Sequence, residues 1–410
     1  MKKTILLTTV CAAGALTAAP RVEGTPTIDW NAATHVLTVG YELADGPGIV
    51  TLSLQTNAPG GAWVAVDDAR VTRLAGDVNR VTASGANKTI SWTPDDDWPE
   101  ALIAEGGLRA VLTVWSPSAP PPYMVADLRY AGVVRYYATT NALPGGLADA
   151  RYKRDYLLMR KIEANEVVWK MGCPDSQPGA KGSGWDWTLE TRHQVTLRHD
   201  YYIGVFELTI GQYATVMNGS RPGSASNEED ADECPVDKVS PSTILTGNAS
   251  FIARLRTATG RTDFTLPTSA EWEYACRAGH GTGLYTGEEI SDAGECSRVD
   301  ALAWYYYNSG DRVHPVGRKA PNAWGLYDML GNVDEMTRDH FVTDLGSAAV
   351  VDPEYPEEVP TDPGSYRFAT CGGSIGRNAS RIRCSCRNSL EGATKGYGFR
   401  VSCSVGGNRE

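Results

Sequence analysis

Residues 20–137 alternate apolar and polar positions in short runs. The segments 36–41, 48–54, 88–92 and 108–115 each place every second side chain on one face, the pattern of a half-buried strand. Clusters of Gly, Asp, Asn and Pro separate them, which predicts an all-β sandwich of immunoglobulin or fibronectin type. No Cys…Trp…Cys framework accompanies the strands, so Trp92 and Trp115 are expected to be core aromatics. Nothing in this segment assembles a catalytic constellation, and a spacer or adhesion module is the expectation. The proline-rich bend at 117–122 is a loop within it or at its end, and 138–153 reads as a linker.

The pattern changes beyond residue 154. Segments 157–162 and 166–171 read as strands. Thr209 with Gln212, and Thr268 with Glu271, have capping-box spacing, which predicts helices beginning at Ile210 and just after Thr268. The second should run through Arg277, stop near Gly279, and put Trp272 and Cys276 on one face. Ser240-Pro241 and Ser250 open two further turns or helices. The rest is loops and short strands. The loop 173–192 carries Trp185 and Trp187, which either line a pocket or cover the core.

Length and composition narrow the classes. A chain of 410 residues favours two or three domains. A net charge of −11 removes the basic footprint that phosphate backbones require, so nucleic acid is not an expected partner. Lys2-Lys3, an apolar stretch at 5–16 too short to span a bilayer, and small residues up to Ala19 read as a secretion signal over 1–19. No later run reaches membrane length, so the mature chain is expected outside the cytoplasm: secreted, periplasmic or at the cell surface. Without the signal eight cysteines remain, all beyond residue 170, an even number that suggests disulfides. No CxxC pair exists and Cys384-x-Cys386 is too tight for structural zinc. The six histidines show no ligand spacing beyond His193 and His199, which flank a strand-like run and would stand far apart on it.

The densest candidate chemistry lies in residues 321–336. There Asn322 and Gly325 form turns around Trp324, and Asp328 and Glu335 flank Gly331-Asn332. Two carboxylates across a glycine turn, with carbonyls freed by irregular chain, suit a hard cation such as calcium; a solvated acidic loop is the plainer alternative.

This stretch resembles the signature of the formylglycine-generating enzyme (sulfatase-modifying factor) family. Matching pieces occur in the family's order: Met171-Gly172, Tyr202-Ile203-Gly204 with Glu207-Leu208-Thr209, Pro235-Val236, Leu266-Pro267-Thr268 with Glu271-Trp272-Glu273-Tyr274, Gly372-Gly373-Ser374 and Gly398-Phe399-Arg400. The resemblance covers roughly residues 155–405 and implies an α+β, C-type-lectin-like fold with little regular secondary structure. It divides the chain into a signal (1–19), a β-sandwich (20–137), a linker (138–153) and the family domain (154–410).

It further implies calcium ligands at Asp328 and Glu335 through side chains and at Gly331 and Val333 through carbonyls. Asp334 and Met336 stand where the family has tryptophans. The family's enzymes hold Cu(I) between two cysteines after Gly-Gly-Ser. Here the first position is Arg377, the second falls within 380–382, and neither is a cysteine. Copper is therefore not expected. The family alignment also implies a Cys276–Cys384 disulfide. Arg377 and Asn378 are expected on an exposed ligand face, with Arg381 and Arg387 as buried anchors. The ligand would be a glycan, peptide or protein, with an acidic glycan or carboxylate suited to the arginines. The resulting expectation is a secreted, calcium-stabilised binding module; the alternative is an active oxidoreductase acting on protein cysteine, or another family enzyme.

Overall fold

The computed structural model of this chain describes residues 18–57, 61–67, 70–71, 74–97, 107–174, 187–225, 229–355, 367–390 and 392–405. Two compact units result: residues 1–66 with 74–119, and 67–73 with 120–410.

The first unit contains β1 (Arg21–Asn31), β2 (Val36–Ala44), β3 (Gly48–Thr56), β4 (Val64–Ala65), β5 (Ala75–Gly76), β6 (Val81–Thr82), β7 (Gly85–Trp92), the short helix α1 (Pro94–Asp97) and β8 (Leu108–Trp115). One antiparallel sheet runs β1-β2-β7-β5 and another β4-β3-β6, with β8 also pairing β3. The alternation read from the sequence is the burial pattern observed in β2, where Leu37, Val39, Tyr41 and Leu43 are buried, whereas β3 buries Gly48, Ile49 and Val50 in succession. Trp92 is fully buried, whereas Trp115 is half-buried and turns its indole N–H toward the Thr51 hydroxyl at 3.4 Å.

The second unit begins earlier than the sequence pattern suggested. Strands β9 (Tyr123–Asp127) and β10 (Val134–Tyr137) belong to it, because β9 supplies the neighbour of β11 (Tyr156–Ile162), with Tyr156 opposite Asp127. The stretch 138–153, read as a linker, folds into 3-10 turns at Thr140–Ala142 and Ala150–Lys153, and Tyr152 is buried with its hydroxyl donating to the Pro144 carbonyl. Beyond these lie β12 (Val167–Met171), β13 (His193–Leu197), β14 (Tyr201–Gly204), β15 (Asp334–His340), β16 (Val350–Val351), β17 (Phe368–Cys371), β18 (Arg387–Leu390), β19 (Tyr397–Phe399) and β20 (Ser402–Ser404). They build sheets in the orders β10-β9-β11-β14-β20, β12-β13-β16 and β18-β17-β15-β19.

Among the described residues five helices punctuate the unit: α2 (Ile210–Val216), α3 (Pro241–Leu245), α4 (Phe251–Thr259), α5 (Ser269–Arg277) and α6 (Ser297–Asp300). Both capping boxes form, Thr209 with Gln212 and Thr268 with Glu271, each satisfying two backbone donors at once. Helix α5 stops at Arg277 because Ala278 turns left-handed at φ 46°. Its apolar face sets Trp272 and Cys276, both fully buried, into the main core beside Met329, Leu330 and Cys371. No helix among the described residues is long and apolar enough to cross a membrane.

Candidate functional site

The loop 321–336 is held from within. Asn322 is buried; its amide donates to the Ala275 and Cys276 carbonyls at 2.8 and 3.1 Å, and its oxygen accepts from the Trp324 and Leu326 N–H groups. The predicted turn is thereby tied to the end of α5. Asp328, Gly331 and Asn332 all take left-handed backbone angles. Only glycine fits at 331, where a Cβ would stand 2.4 Å from the Trp304 carbonyl oxygen.

Around this loop collects a group of buried charges. Asp328 accepts from the Gly317 N–H at 2.6 Å. Glu335 accepts from the Trp272 indole at 2.6 Å and from Arg400 Nε at 2.5 Å, while Arg400 Nη2 closes the fork on its other oxygen. Arg400 also donates to the carbonyls of Gly204 and Tyr327. Glu207 takes the Asn332 amide at 2.7 Å and the Val333 N–H at 3.0 Å. All of these acids are at most 1% exposed. Burial pushes the Asp328 carboxyl up to about 6, and it pushes Glu207 well above the usual carboxylate range, aided by the charges of Asp328 and Glu335.

Three carboxylates thus share one guanidinium, with the Lys153 ammonium as a further positive influence on Asp328. A cation would relieve that excess, so the donor chemistry fits calcium in kind. Two of the expected ligands, Asp328 and Glu335, do lie within electrostatic reach of each other. Among the described residues no set of three or more His, Cys, Asp or Glu could hold a metal by itself, so the carbonyls of Gly331 and Val333 would have to complete the shell. Sequence reasoning did not single out Glu207. It is distant in the chain from Asn332, and only the tertiary fold joins them.

A second polar centre forms where β15 meets the Gly372-Gly373-Ser374 turn. Asp334 has no exposed surface. Its carboxylate accepts from the Gly373 N–H (3.1 Å), Ser374 hydroxyl (3.3 Å), Arg377 Nε (3.4 Å) and Asn388 amide (3.2 Å). Gly373 is required there: at φ +73° a Cβ would meet the Arg381 carbonyl at 2.5 Å. Arg377 additionally donates to the Tyr397 hydroxyl. Arg377 was expected to be exposed; its side chain instead retains 31% exposure, because a buried carboxylate at 334 draws the guanidinium inward. Asn378 is exposed as expected.

The remaining expectations fall out unevenly. Trp185 lies outside the described residues, and of Trp187 only the backbone is described, opening a 3-10 turn Trp187–Glu190. Arg387 is a buried anchor, 5.6 Å from the Phe341 ring, whereas Arg381 is half-buried and donates to the Asn388 oxygen. An unanticipated buried pair joins Arg383 to Glu190 at 2.6 Å, and the Ser385 hydroxyl completes it. His193 is buried with Nδ1 2.8 Å from the Thr191 carbonyl. All eight described cysteines are thiols. The Cys276 thiol donates to the Met329 carbonyl at 3.7 Å, and burial first, then the nearby Cys384 thiol, raises it well above its ordinary range. Both sit in the main core rather than on the Asp334 face.

Comparison with known proteins places these features in context. Residues 162–405 match the family described as the sulfatase-modifying factor enzyme 1-like domain. A chaperone protein, LppX, of Paenibacillus barcinonensis is 30% identical over 182 residues, covering 34% of this chain and 62% of that protein. The formylglycine-generating enzyme of Bos taurus is 30% identical over 148 residues, covering 33% of this chain and 38% of that enzyme. The chain thus spans less than two thirds of either relative. Among solved structures, PvdO from Pseudomonas aeruginosa aligns with a TM-score of 0.48 at 22% identity, over 61% of this chain and 95% of PvdO.

Proposed function

Because the chain belongs to the sulfatase-modifying factor enzyme 1-like family through residues 162–405, we propose that it is a secreted, calcium-stabilised ligand- or partner-binding member of that family rather than an oxidase of protein cysteine. The Asp334–Arg377 pair carries this reading. Arg377 occupies the position at which the family resemblance puts the first copper thiolate, and its guanidinium is committed to a buried carboxylate. Cu(I) needs soft sulfur ligands, and a cation neutralised by Asp334 is the opposite of one. The charge-rich loop around Asp328, Glu335 and Glu207 supports a structural calcium. In the first unit, two antiparallel sheets, with alternating burial along β2, support an immunoglobulin-like spacer.

The test is a copper titration followed by incubation with a cysteine-containing sulfatase peptide. No formylglycine product and no saturable copper uptake are expected. Oxygen consumption with formylglycine formation overturns the reading. The second reading, an enzyme of altered chemistry, draws on the neighbouring Cys276 and Cys384 thiols. Copper uptake abolished by Cys384→Ser would favour it.

A further inference from the structure

Lys153 reaches the Asp328 site from outside the stretch that matches the family, which begins at residue 162. It ends the 3-10 turn Ala150–Lys153. Its carbonyl accepts from the Thr209 hydroxyl at 2.6 Å, which fixes its backbone to the start of α2. The residue is 8% exposed, and its side chain lies against Phe206 and Gly317. The ammonium stands 5.5 Å from the Phe206 ring centroid, and Cε would stand 3.6 Å from a Cβ added at Gly317. The Gly317 N–H is the group that donates to Asp328 at 2.6 Å. Lys153 and Asp328 thus meet at one glycine.

The other cations around Asp328 are committed or screened. Arg400 closes its fork on Glu335. Lys319 donates to the Asp300 carbonyl and stands 3.9 Å from the Trp304 ring centroid. Arg318 is exposed, where water and salt screen its charge. Lys153 differs from all three. The carboxylate within its ion-pair reach, Glu233, is 3.9 Å away and already holds Arg154 at 2.8 Å. Among the described residues the Lys153 ammonium closes no hydrogen bond. Burial pulls its pKa below the ordinary lysine value, while Glu233 and Asp328 help to hold the proton on. A half-paired ammonium in the interior acts on neighbouring charge more strongly than a surface lysine does.

We propose that Lys153 sets the calcium affinity of the Asp328–Glu335 site, because its ammonium supplies part of the positive charge that the ion would bring and repels the ion as it enters. Affinity at an oxygen-ligand site follows the net charge of the ligands, so a cation this close to Asp328 lowers it. Without calcium the same ammonium offsets Asp328, so the acidic loop keeps a cation beside it either way. The inference rests on the calcium reading above and adds the residue that tunes it.

Calcium calorimetry on the full chain tests it. Lys153→Met keeps the length of the side chain and removes the charge; it should bind calcium about tenfold more tightly than the parent. Lys153→Gln should shift the affinity the same way, and it guards against a Met variant that fails to fold. Arg318→Met removes an exposed charge nearby and should change the affinity by less than about twofold. Adding Asp328→Asn to Lys153→Met should abolish the gain. A neutral variant that binds where the parent gives no heat also supports the inference. Equal or weaker binding by both neutral variants, an equal gain from Arg318→Met, or a gain that survives Asp328→Asn overturns it. When parent and neutral variants bind alike, only this inference falls. When none of them binds, the calcium reading falls with it.

Discussion

The buried Asp334 carboxylate and the half-buried Arg377 guanidinium meet at 3.4 Å beneath the Gly372-Gly373-Ser374 turn. Each occupies a position where family resemblance leads one to expect something else, a tryptophan and a cysteine. Either substitution alone would be costly: a buried carboxylate needs a partner, and so does a half-buried guanidinium. Made together, they form a closed polar centre, which Ser374 and Asn388 complete.

Asp334→Asn should therefore destabilise the second unit by roughly 2–4 kcal/mol, because Arg377 loses its counterion inside the fold. Urea denaturation gives the difference through the midpoint at constant slope. The double variant Asp334→Asn with Arg377→Gln should lose less than the sum of the single changes. Strict additivity would show that the two groups do not act as a pair.

Arg400 faces a larger penalty. It closes a fork on Glu335 with both partners fully buried, and it supplies hydrogen bonds to three carbonyls as well. Arg400→Met should cost about 3–5 kcal/mol, since Glu335 would be left as an isolated interior charge. The same urea experiment measures it.

Calcium should raise the melting temperature of the full chain in a saturable manner, and chelation should lower it. At a concentration a hundred times the dissociation constant the gain would be about 2.7 kcal/mol. Asp328→Asn or Glu335→Gln should remove most of the increment. A calcium effect that survives both changes would place the ion elsewhere.

Burial pushes the Asp339 carboxyl up to about 6, partly offset by its hydrogen bond from the Ser269 N–H and by Arg387 and Arg338. The folded form therefore holds this proton more tightly than the unfolded form. Its contribution to stability is complete below the unfolded value of about 4 and is lost as pH climbs through about 6, by at most roughly 3 kcal/mol. Asp339→Asn should flatten the fall in stability between pH 4 and 6 relative to the parent. Parallel pH profiles would show that Asp339 does not titrate in that window.

Under oxidising conditions Cys276 and Cys384 should be found joined by peptide mapping, since both thiols lie in the same core cluster and influence each other electrostatically. Closing so long a loop stabilises by on the order of 4 kcal/mol in the chain-entropy view. Cys384→Ser should reduce the melting temperature in oxidised protein and change it far less in reduced protein.

Local rules carried the secondary structure far. Thr209/Gln212 and Thr268/Glu271 are sequence-adjacent devices, and both helices begin where those residues require. The β2 strand follows from alternation alone, whereas β3 forms where expected without alternating burial. What escaped notice is non-local. Glu207 acts through Asn332 across 125 positions of chain, and Arg383 through Glu190 across 193. The strand β9 pairs with β11 in the second unit although its pattern continues that of the first, because its apolar residues look alike whichever sheet receives them. Asp334 is visible in the sequence as an acid at an aromatic position, but its donors lie at 373–377 and at Asn388, far along the chain, and no spacing rule connects them to it.

Among the described residues the side chains of Tyr306 and Asn378 close no hydrogen bond on which the skeleton depends; position 306 contributes its backbone N–H, which donates to the Arg377 carbonyl, and position 378 opens a 3-10 turn without a side-chain cap. Their identities are therefore free to drift while the anchors Tyr305, Asp334 and Arg400 stay put. A scaffold that separates fastening from display in this way should accept new side chains at 306 and 378 with little change in its folding.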